Sequence, residues 1–327
     1  MKLFVTGGAG FIGSNFVRMV INDAIAGLEG AHVTVFDALT YSGTLSNLES
    51  VAGSDRFTFV EGDIRSVEAV AGALPGHDSI VHFAAESHVD RSVTDSRIFV
   101  DTNVLGTQTL LDAALKLGIS RFVHVSTDEV YGSINEGSWD EYEPLLPNSP
   151  YAASKAASDL LVRSYFVTHG LNVSITRCSN NYGTHHFPEK LIPLFITNLL
   201  DDKKVPLYGD GQNVRDWLHV DDHCRGIALV LNKGAAGEIY NIGGGTELSN
   251  TELTHLLLDA LGKDESSITP VADRKGHDRR YSVDIGKISR ELGYIPQVPF
   301  SDGLAAVVDW YRDNRAWWEP LKERSSL

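Results

Sequence analysis

Short apolar runs alternate with segments of helical periodicity along the first half of the chain. Leu3 to Thr6, His32 to Phe36, Phe57 to Glu61, Ser79 to Phe83 and Phe122 to Ser126 each have the length and apolar character of a buried parallel strand. Helical segments fall between them. This rhythm predicts an α/β chain built on a doubly wound parallel sheet with helices on both faces. Beyond about residue 175 the rhythm breaks. Val173 to Arg177 and Glu238 to Ile242 are expected to return to the sheet, while 184–215 and 246–296 predict a second, smaller α/β lobe over its C-terminal edge. The expected division is residues 1–175, with returning segments near 216–245, and 176–327 for most of the second lobe. The two lobes therefore interleave in sequence. No internal repeat, low-complexity tract or long charge run interrupts the chain.

Composition narrows the functional classes. The 327 residues, 43% hydrophobic and 22% charged, suffice for a large core. A net charge of -15 argues against nucleic acid or an anionic membrane as partner. Only Cys178 and Cys224 occur, which excludes a disulfide framework and fits a reducing cytoplasm. The apolar start, Lys2 to Val5, is too short for a secretion signal, and no window approaches the roughly 20 apolar residues of a membrane span.

Gly7, Gly10 and Gly13 follow the first strand at the spacing G-x-x-G-x-x-G and open an expected helix from Phe11 to Val20. Backbone at such a turn approaches a pyrophosphate closely, and the helix N-terminus favours anions. A glycine triplet also serves simply to make a tight turn. Asp37 changes the balance: it ends the second strand, where a carboxylate accepts hydrogen bonds from an adenosine ribose. Residues 38–42 offer no Arg or Lys to a 2′-phosphate, so NAD is favoured over NADP. Asp63 and Ile64, after the third strand, stand where an adenine amino group is commonly held, although Asp63 reads equally well as a turn cap.

The run Ser126-Thr127-Asp128-Glu129-Val130-Tyr131-Gly132 sets a hydroxyl beside two adjacent carboxylates. Hydride transfer alone has no use for the acids. Tyr151 and Lys155 stand four apart in an alanine-rich segment, so both project from one helical face. An ammonium near a phenol favours the phenolate, as does the positive charge of an oxidised nicotinamide, which would let Tyr151 take a hydroxyl proton near neutral pH. An Asp-Glu pair after a strand is otherwise a common helix cap; the combination of Thr127, Asp128, Glu129, Tyr151 and Lys155 is what argues for oxidation coupled to acid/base chemistry.

With these motifs the chain resembles the extended short-chain dehydrogenase/reductase superfamily, and within its nucleotide-sugar dehydratases the dTDP-glucose 4,6-dehydratase family. The resemblance runs nearly end to end, through Phe83 to Ser92, Ser126 to Gly132, Tyr151 to Lys155, Arg177 to Gly183, Phe187 to Pro193, Gly209 to Trp217 and Gly276 to Tyr281. It implies a Rossmann domain that keeps its NAD, held by Gly7, Gly10, Phe11, Ile12, Gly13, Asp37, Asp63, Ile64, Ala84, Tyr151 and Lys155. It also implies a three-step lyase reaction. Tyr151, helped by Thr127 and Lys155, takes the 4-hydroxyl proton as C4 is oxidised; Glu129 removes the C5 proton, Asp128 protonates the departing 6-hydroxyl, and hydride returns to C6. Opposite roles for two adjacent acids require their proton affinities to be pushed apart. Related 4-epimerases usually lack both acids, and they, with dehydratases of other nucleotide sugars, are the alternative. So is a silent NAD-binding module, which the intact catalytic set argues against.

By the same resemblance Ser87, Asn180, Glu189, Lys190, Leu191, Pro206, Tyr208, Arg215, Asn250 and His277 lie at substrate positions. Among the basic residues Lys190, Arg215 and Arg279, Arg215 suits a diphosphate best, since a guanidinium binds phosphate oxygens bidentately. Arg279 reads equally as a surface ion pair. Ser87, His88 and Asp90 follow the fourth strand, and Thr102-Asn103 resembles the helix segment beside the nicotinamide. His219-Val-Asp-Asp-His223 has ligand-like spacing, but the resemblance calls for no metal. His185-His186 and the cluster Trp310, Tyr311, Trp317 and Trp318 read as packing residues. The chain departs from the family at Ala38, Lys275 and Thr184-His185-His186. The resemblance further implies a homodimer packed through segments near 98–117 and 151–169.

Overall fold

A computed structural model describes residues 1–273 and 276–325; Lys275 lies outside the described residues. Seven strands form one parallel sheet: β1 (Lys2–Thr6), β2 (His32–Asp37), β3 (Phe57–Glu61), β4 (Ser79–His82), β5 (Arg121–Thr127), β6 (Val173–Cys178) and, much later in the chain, β10 (Ile239–Ile242). Their order is β10-β6-β5-β4-β1-β2-β3. Progress along the sheet reverses between β1 and β4, which opens a crevice at the carboxyl ends of those strands. Every strand expected from the sequence is present, and β5 runs on to Thr127, so the acid pair begins where pairing stops.

The period-2 pattern of the strands sorts their side chains between two cores. Leu3 and Val5 of β1, Val35 of β2 and Val123 of β5 pack with α1 (Phe11–Ile21) and α8 (Val220–Lys233) on one face. Phe4, Phe36, Ile80 and Phe122 point to the other face. There they meet α2 (Val67–Ala73), α5 (Thr107–Leu117) and α6 (Pro150–His169). Two short helices, α3 (Val89–Thr94) and α4 (Arg97–Phe99), precede a π-helical stretch at Val100–Gly106 that leads into α5. Helix α6 starts cleanly because Ser149 caps it, accepting from the Ala152 N–H, and Pro150 occupies its first turn.

The second lobe has its own core. A three-stranded sheet of β7 (Asn180–Tyr182), β9 (Val214–His219) and β11 (Glu247–Ser249) and a pair of β8 (Val205–Tyr208) with β12 (Ile268–Val271) are covered by α7 (Leu191–Leu200), α9 (Asn250–Leu261) and α11 (Phe300–Asp313). Ile192, Phe195, Leu253, Leu257, Leu304 and Trp318 fill its centre, the last from α12 (Arg315–Ser325). Helix α10 (Gly286–Leu292) lies against β10. Within 216–245, α8 packs on the large sheet and β10 joins its edge, whereas β9 belongs to the small sheet. The C-terminal aromatics pack on one another, and Trp318 Nε1 donates to the Tyr311 carbonyl at 2.8 Å. Among the described residues no helix is long and apolar enough to cross a membrane.

Candidate active site

The first cleft opens at the crevice between β1 and β4. Gly7 has φ +68, and a Cβ there would lie 2.5 Å from the Ala84 amide nitrogen; a Cβ on Gly13 would lie 2.3 Å from the Gly7 carbonyl. Only glycine fits either place. Gly10 caps α1 and brings no side chain to bond the first N–H groups of the helix, the groups that favour an anion. Asp37 braces this turn, accepting from the Ala9 N–H at 2.9 Å and the Leu39 N–H at 2.8 Å. Each of its oxygens retains a lone pair for a hydroxyl donor. Burial pushes its carboxyl up, and the two backbone bonds pull it back. Asp63 lines the cleft, and its carboxylate caps its own turn through the Arg65 N–H while binding the Arg65 guanidinium. Phe11, Ile12, Ile64 and Ala84 line the same cleft.

Thr127, Asp128, Glu129, Tyr151 and Lys155 come together at its inner end. Thr127 Oγ1 accepts from the Glu129 N–H at 3.2 Å, which curls the chain after β5 into a short 3-10 turn. That turn separates the acids. Asp128 is 1% exposed and its Oδ2 has no hydrogen-bond partner. Burial, then the charges of Glu129 and Asp216, push its carboxyl well above the ordinary range, against the opposing pull of Arg215 and Thr127. Glu129 is half-buried and lines a second cleft as well. Lys155 Nζ donates to the Val125 carbonyl at 2.9 Å, and burial brings its ammonium down to about 8. The Tyr151 phenol is buried at the start of α6. Burial first, then the negative charge of Glu129, push it well above its usual value, so a lysine on the same helix face does not by itself make a phenolate at neutral pH.

The second cleft lies between the lobes and meets the first at Glu86, Glu129, Asn180, Glu189 and Lys190. Leu191, Pro206, Tyr208, Arg215, Asn250 and His277 line it, while Ser87 lines the first cleft. Arg215 is 8% exposed; it donates to the Val214 and Asp278 carbonyls and lies 4.3 Å over the Tyr281 ring. Arg279 instead makes an exposed ion pair with Asp210.

Residues 4–307 match the family model described as GDP-mannose 4,6 dehydratase. This chain belongs to that dehydratase family. It is 62% identical over 325 residues to a dTDP-glucose 4,6-dehydratase of Streptomyces antibioticus, covering 99% of this chain and 96% of that protein. A dTDP-glucose 4,6-dehydratase of Shigella flexneri is 47% identical, over 98% of this chain and 96% of its own. Among solved structures, the dTDP-glucose 4,6-dehydratase DesIV of Streptomyces venezuelae, with NAD and dTDP bound, superposes with a TM-score of 0.97 at 64% identity, covering 98% of this chain and all of that one. A UDP-glucose 4-epimerase of Thermotoga maritima follows at 0.87 and 31% identity, covering 96% of this chain and 100% of its own.

Thr102-Asn103, which the sequence singles out only by resemblance, falls at the edge of the first cleft. Asn103 sits in the π-helical stretch, accepts from the Glu86 N–H at 2.8 Å, and donates to the Glu86 carbonyl and to Ser154 Oγ of α6. It pins the loop after β4 to the catalytic helix; Thr102 beside it lines the first cleft. The π stretch that carries Asn103 is a conformational mark of the site, visible only in the structure. The adjacent histidines diverge. His186 stacks on Phe11 with ring centroids 4.0 Å apart, while His185, at φ 62, packs between Trp310 and Trp317. His219 caps α8 by accepting from the Asp221 N–H, and His223 Nδ1 pairs with Asn181 Oδ1 at 2.9 Å. Ala38 lines the first cleft beside Asp37.

Proposed function

We propose that this chain converts dTDP-α-D-glucose to dTDP-4-keto-6-deoxy-D-glucose and water with a retained NAD. The observation that carries the reading is the unequal burial of two adjacent acids: Asp128 is shut in and held towards its protonated form, and Glu129 faces both clefts. One is suited to give a proton, the other to take one. The cradle at Gly7 and Gly13, where a Cβ would collide with backbone, fits a dinucleotide pyrophosphate, with Asp37 free to accept from its ribose. Bound NAD supplies a hydride acceptor for C4 and a donor for C6, so none is consumed.

Tyr151 takes the 4-hydroxyl proton. Burial pushes its phenol up, so the phenolate forms only where positive charge answers it, the charge that Lys155, one helical turn along α6, and an oxidised nicotinamide would supply. Thr127 orients the same hydroxyl. Once C4 is a ketone the C5 proton is acidic; Glu129 removes it, and Asp128 protonates the 6-hydroxyl so that water leaves. Glu129, now protonated, returns a proton to C5 as C6 is reduced. Arg215, fixed by two carbonyls and an aromatic face, binds the diphosphate from the second cleft, with Lys190, Asn180 and Asn250 around the sugar and base.

The division of labour follows the lobes: residues 1–175 with the segments near 216–245 hold NAD, and most of 176–327 holds the nucleotide sugar. We place the protein in the cytoplasm, in keeping with two buried free thiols, and as a homodimer. Exposed Leu105, Leu115, Leu160 and Val167 on α5, α6 and the stretch before them support that interface. Light scattering reads the dimer directly.

The test of the activity is incubation without added nicotinamide of the protein and dTDP-glucose deuterated at C4. Loss of water with deuterium recovered at C6 is the expected result. Deuterium retained at C4 with an inverted hydroxyl would make the protein an epimerase instead.

A further inference from the structure

Helix α6 carries a third buried ionisable group in line with Tyr151 and Lys155. Asp159 stands one turn beyond the lysine, is 1% exposed and lines neither cleft. Its Oδ2 accepts from Arg177 Nε at 2.9 Å. Its Oδ1 is 3.4 Å from His124 Nε2 and takes no hydrogen bond. The neighbouring histidine supplies no charge: burial, then the positive charge of Lys155, hold the His124 ring down to about 4. Arg177 is itself shared, donating to the Tyr131 hydroxyl at 2.9 Å, which in turn donates to Asn241 Oδ1 at 2.9 Å. A buried carboxylate with one oxygen unclaimed is costly unless a further positive charge answers it.

We propose that Asp159 is a positioning residue for the oxidation step, the counter-charge that keeps Lys155 an ammonium beside Tyr151, with Arg177 setting how much of the carboxylate's charge reaches the lysine. The inference rests on the reading of Tyr151 as base and Lys155 as its support. The titratable and charged groups around Lys155 are Tyr151 and Asp159 on α6, His82 on β4, His124 on β5, and Arg177 and Cys178 on β6. Both histidines are held neutral, by burial first, and burial also keeps the Cys178 thiol protonated. Asp159 is therefore the one anion of the group: burial raises its carboxyl, but opposing influences led by the positive charge of Arg177 more than offset this. Against the burial that lowers Lys155, Asp159 is the largest opposing influence.

The prediction has a sign that packing alone would not produce. Asp159→Asn removes the counter-charge, so the alkaline limb of kcat for C4 oxidation moves down by roughly one pH unit, a loss of about fivefold near pH 8 that approaches tenfold at higher pH, with far less at pH 6.5. Arg177→Met unmasks the carboxylate and moves the limb up. Asp159→Glu keeps the charge and restores the limb near its wild-type place. Single-turnover absorbance of the reduced nicotinamide at each pH reads the limb, with circular dichroism to establish folding. Limbs that stay put, move in the same direction or fall evenly at every pH overturn the proposal. If Asp159→Asn fails to fold, the upward shift in Arg177→Met decides alone. Failure of the functional reading looks different, because the wild type would then not oxidise dTDP-glucose at all.

Discussion

Arg91 Nη2 donates to Glu189 Oε2 at 3.0 Å, and the same guanidinium lies 4.0 Å over the Tyr41 ring. This contact ties the loops after β2 and β4 to the segment entering α7, all of which line the clefts. A half-exposed ion pair contributes about 0.2–1 kcal/mol and a cation–π contact about 0.5–1 kcal/mol. Arg91→Ala should therefore release NAD about 3- to 30-fold faster, read by dilution of the holoenzyme and assay of free nucleotide. Unchanged retention would mean that the contact does not help to hold the clefts together.

Asp128→Asn keeps the shape of the side chain and removes its proton. Overall turnover should fall by about 10²–10⁴, the usual worth of a positioned general acid. In deuterated water the variant should still exchange the C5 hydrogen after C4 oxidation, because Glu129 is intact. Glu129→Gln should lose that exchange. Mass analysis of recovered sugar nucleotide separates the two, and identical behaviour would refute the division of roles.

The same substitution makes a claim about stability. The Asp128 carboxyl is raised in the fold, so its favourable contribution is complete below its unfolded value of about 3.8 and is lost as pH rises through the higher folded value. Ionising it leaves a buried charge with an unpartnered oxygen. Thermal melts from pH 4 to pH 8 should show Asp128→Asn gaining on the wild type as pH rises, by about 1–3 kcal/mol at the upper end. A constant difference across the range would show that the carboxyl does not titrate there.

Gly13→Ala puts a methyl group 2.3 Å from the Gly7 carbonyl, inside the cradle itself. The turn must open to accept it. Purified variant should contain little NAD and regain activity only with a large excess, more than about 100-fold weaker binding for a loss above 2.7 kcal/mol. The ultraviolet spectrum of the purified protein is sufficient to check this.

Arg215→Lys retains a charge but not the fork that reaches the Val214 and Asp278 carbonyls, nor the flat face over Tyr281. KM for dTDP-glucose should rise about 10- to 100-fold, with a smaller change in kcat, as expected for the loss of roughly 1.5–3 kcal/mol from a charge-assisted contact. Steady-state kinetics across ionic strengths would show it; an unaltered KM would remove Arg215 from the diphosphate site.

The strands and the glycine turn were legible because they are local. Leu3-Phe4-Val5 must bury both faces, and backbone at Gly7 and Gly13 must pass where no Cβ fits, so the chain announces them wherever it folds. The chemistry-bearing residues were visible by type and spacing: Thr127 with its two acids, and Tyr151 one helical turn from Lys155. Their environments were not. Asp128 differs from Glu129 because the turn after β5 buries one acid near Asp216 and Arg215 and leaves the other half-buried and facing both clefts. Tyr151 is harder to ionise than its helix suggests because surrounding elements exclude water from it. Likewise, Asn103 joins Glu86 to Ser154, and Arg177 meets Asp159, across 17, 51 and 18 residues of chain. Sequence alone determined the period of burial and the identity of the reactive groups, since both follow from single residues and their nearest neighbours. Tertiary structure decided proton affinity and partnership, because those depend on dielectric surroundings and charges that only folding brings together.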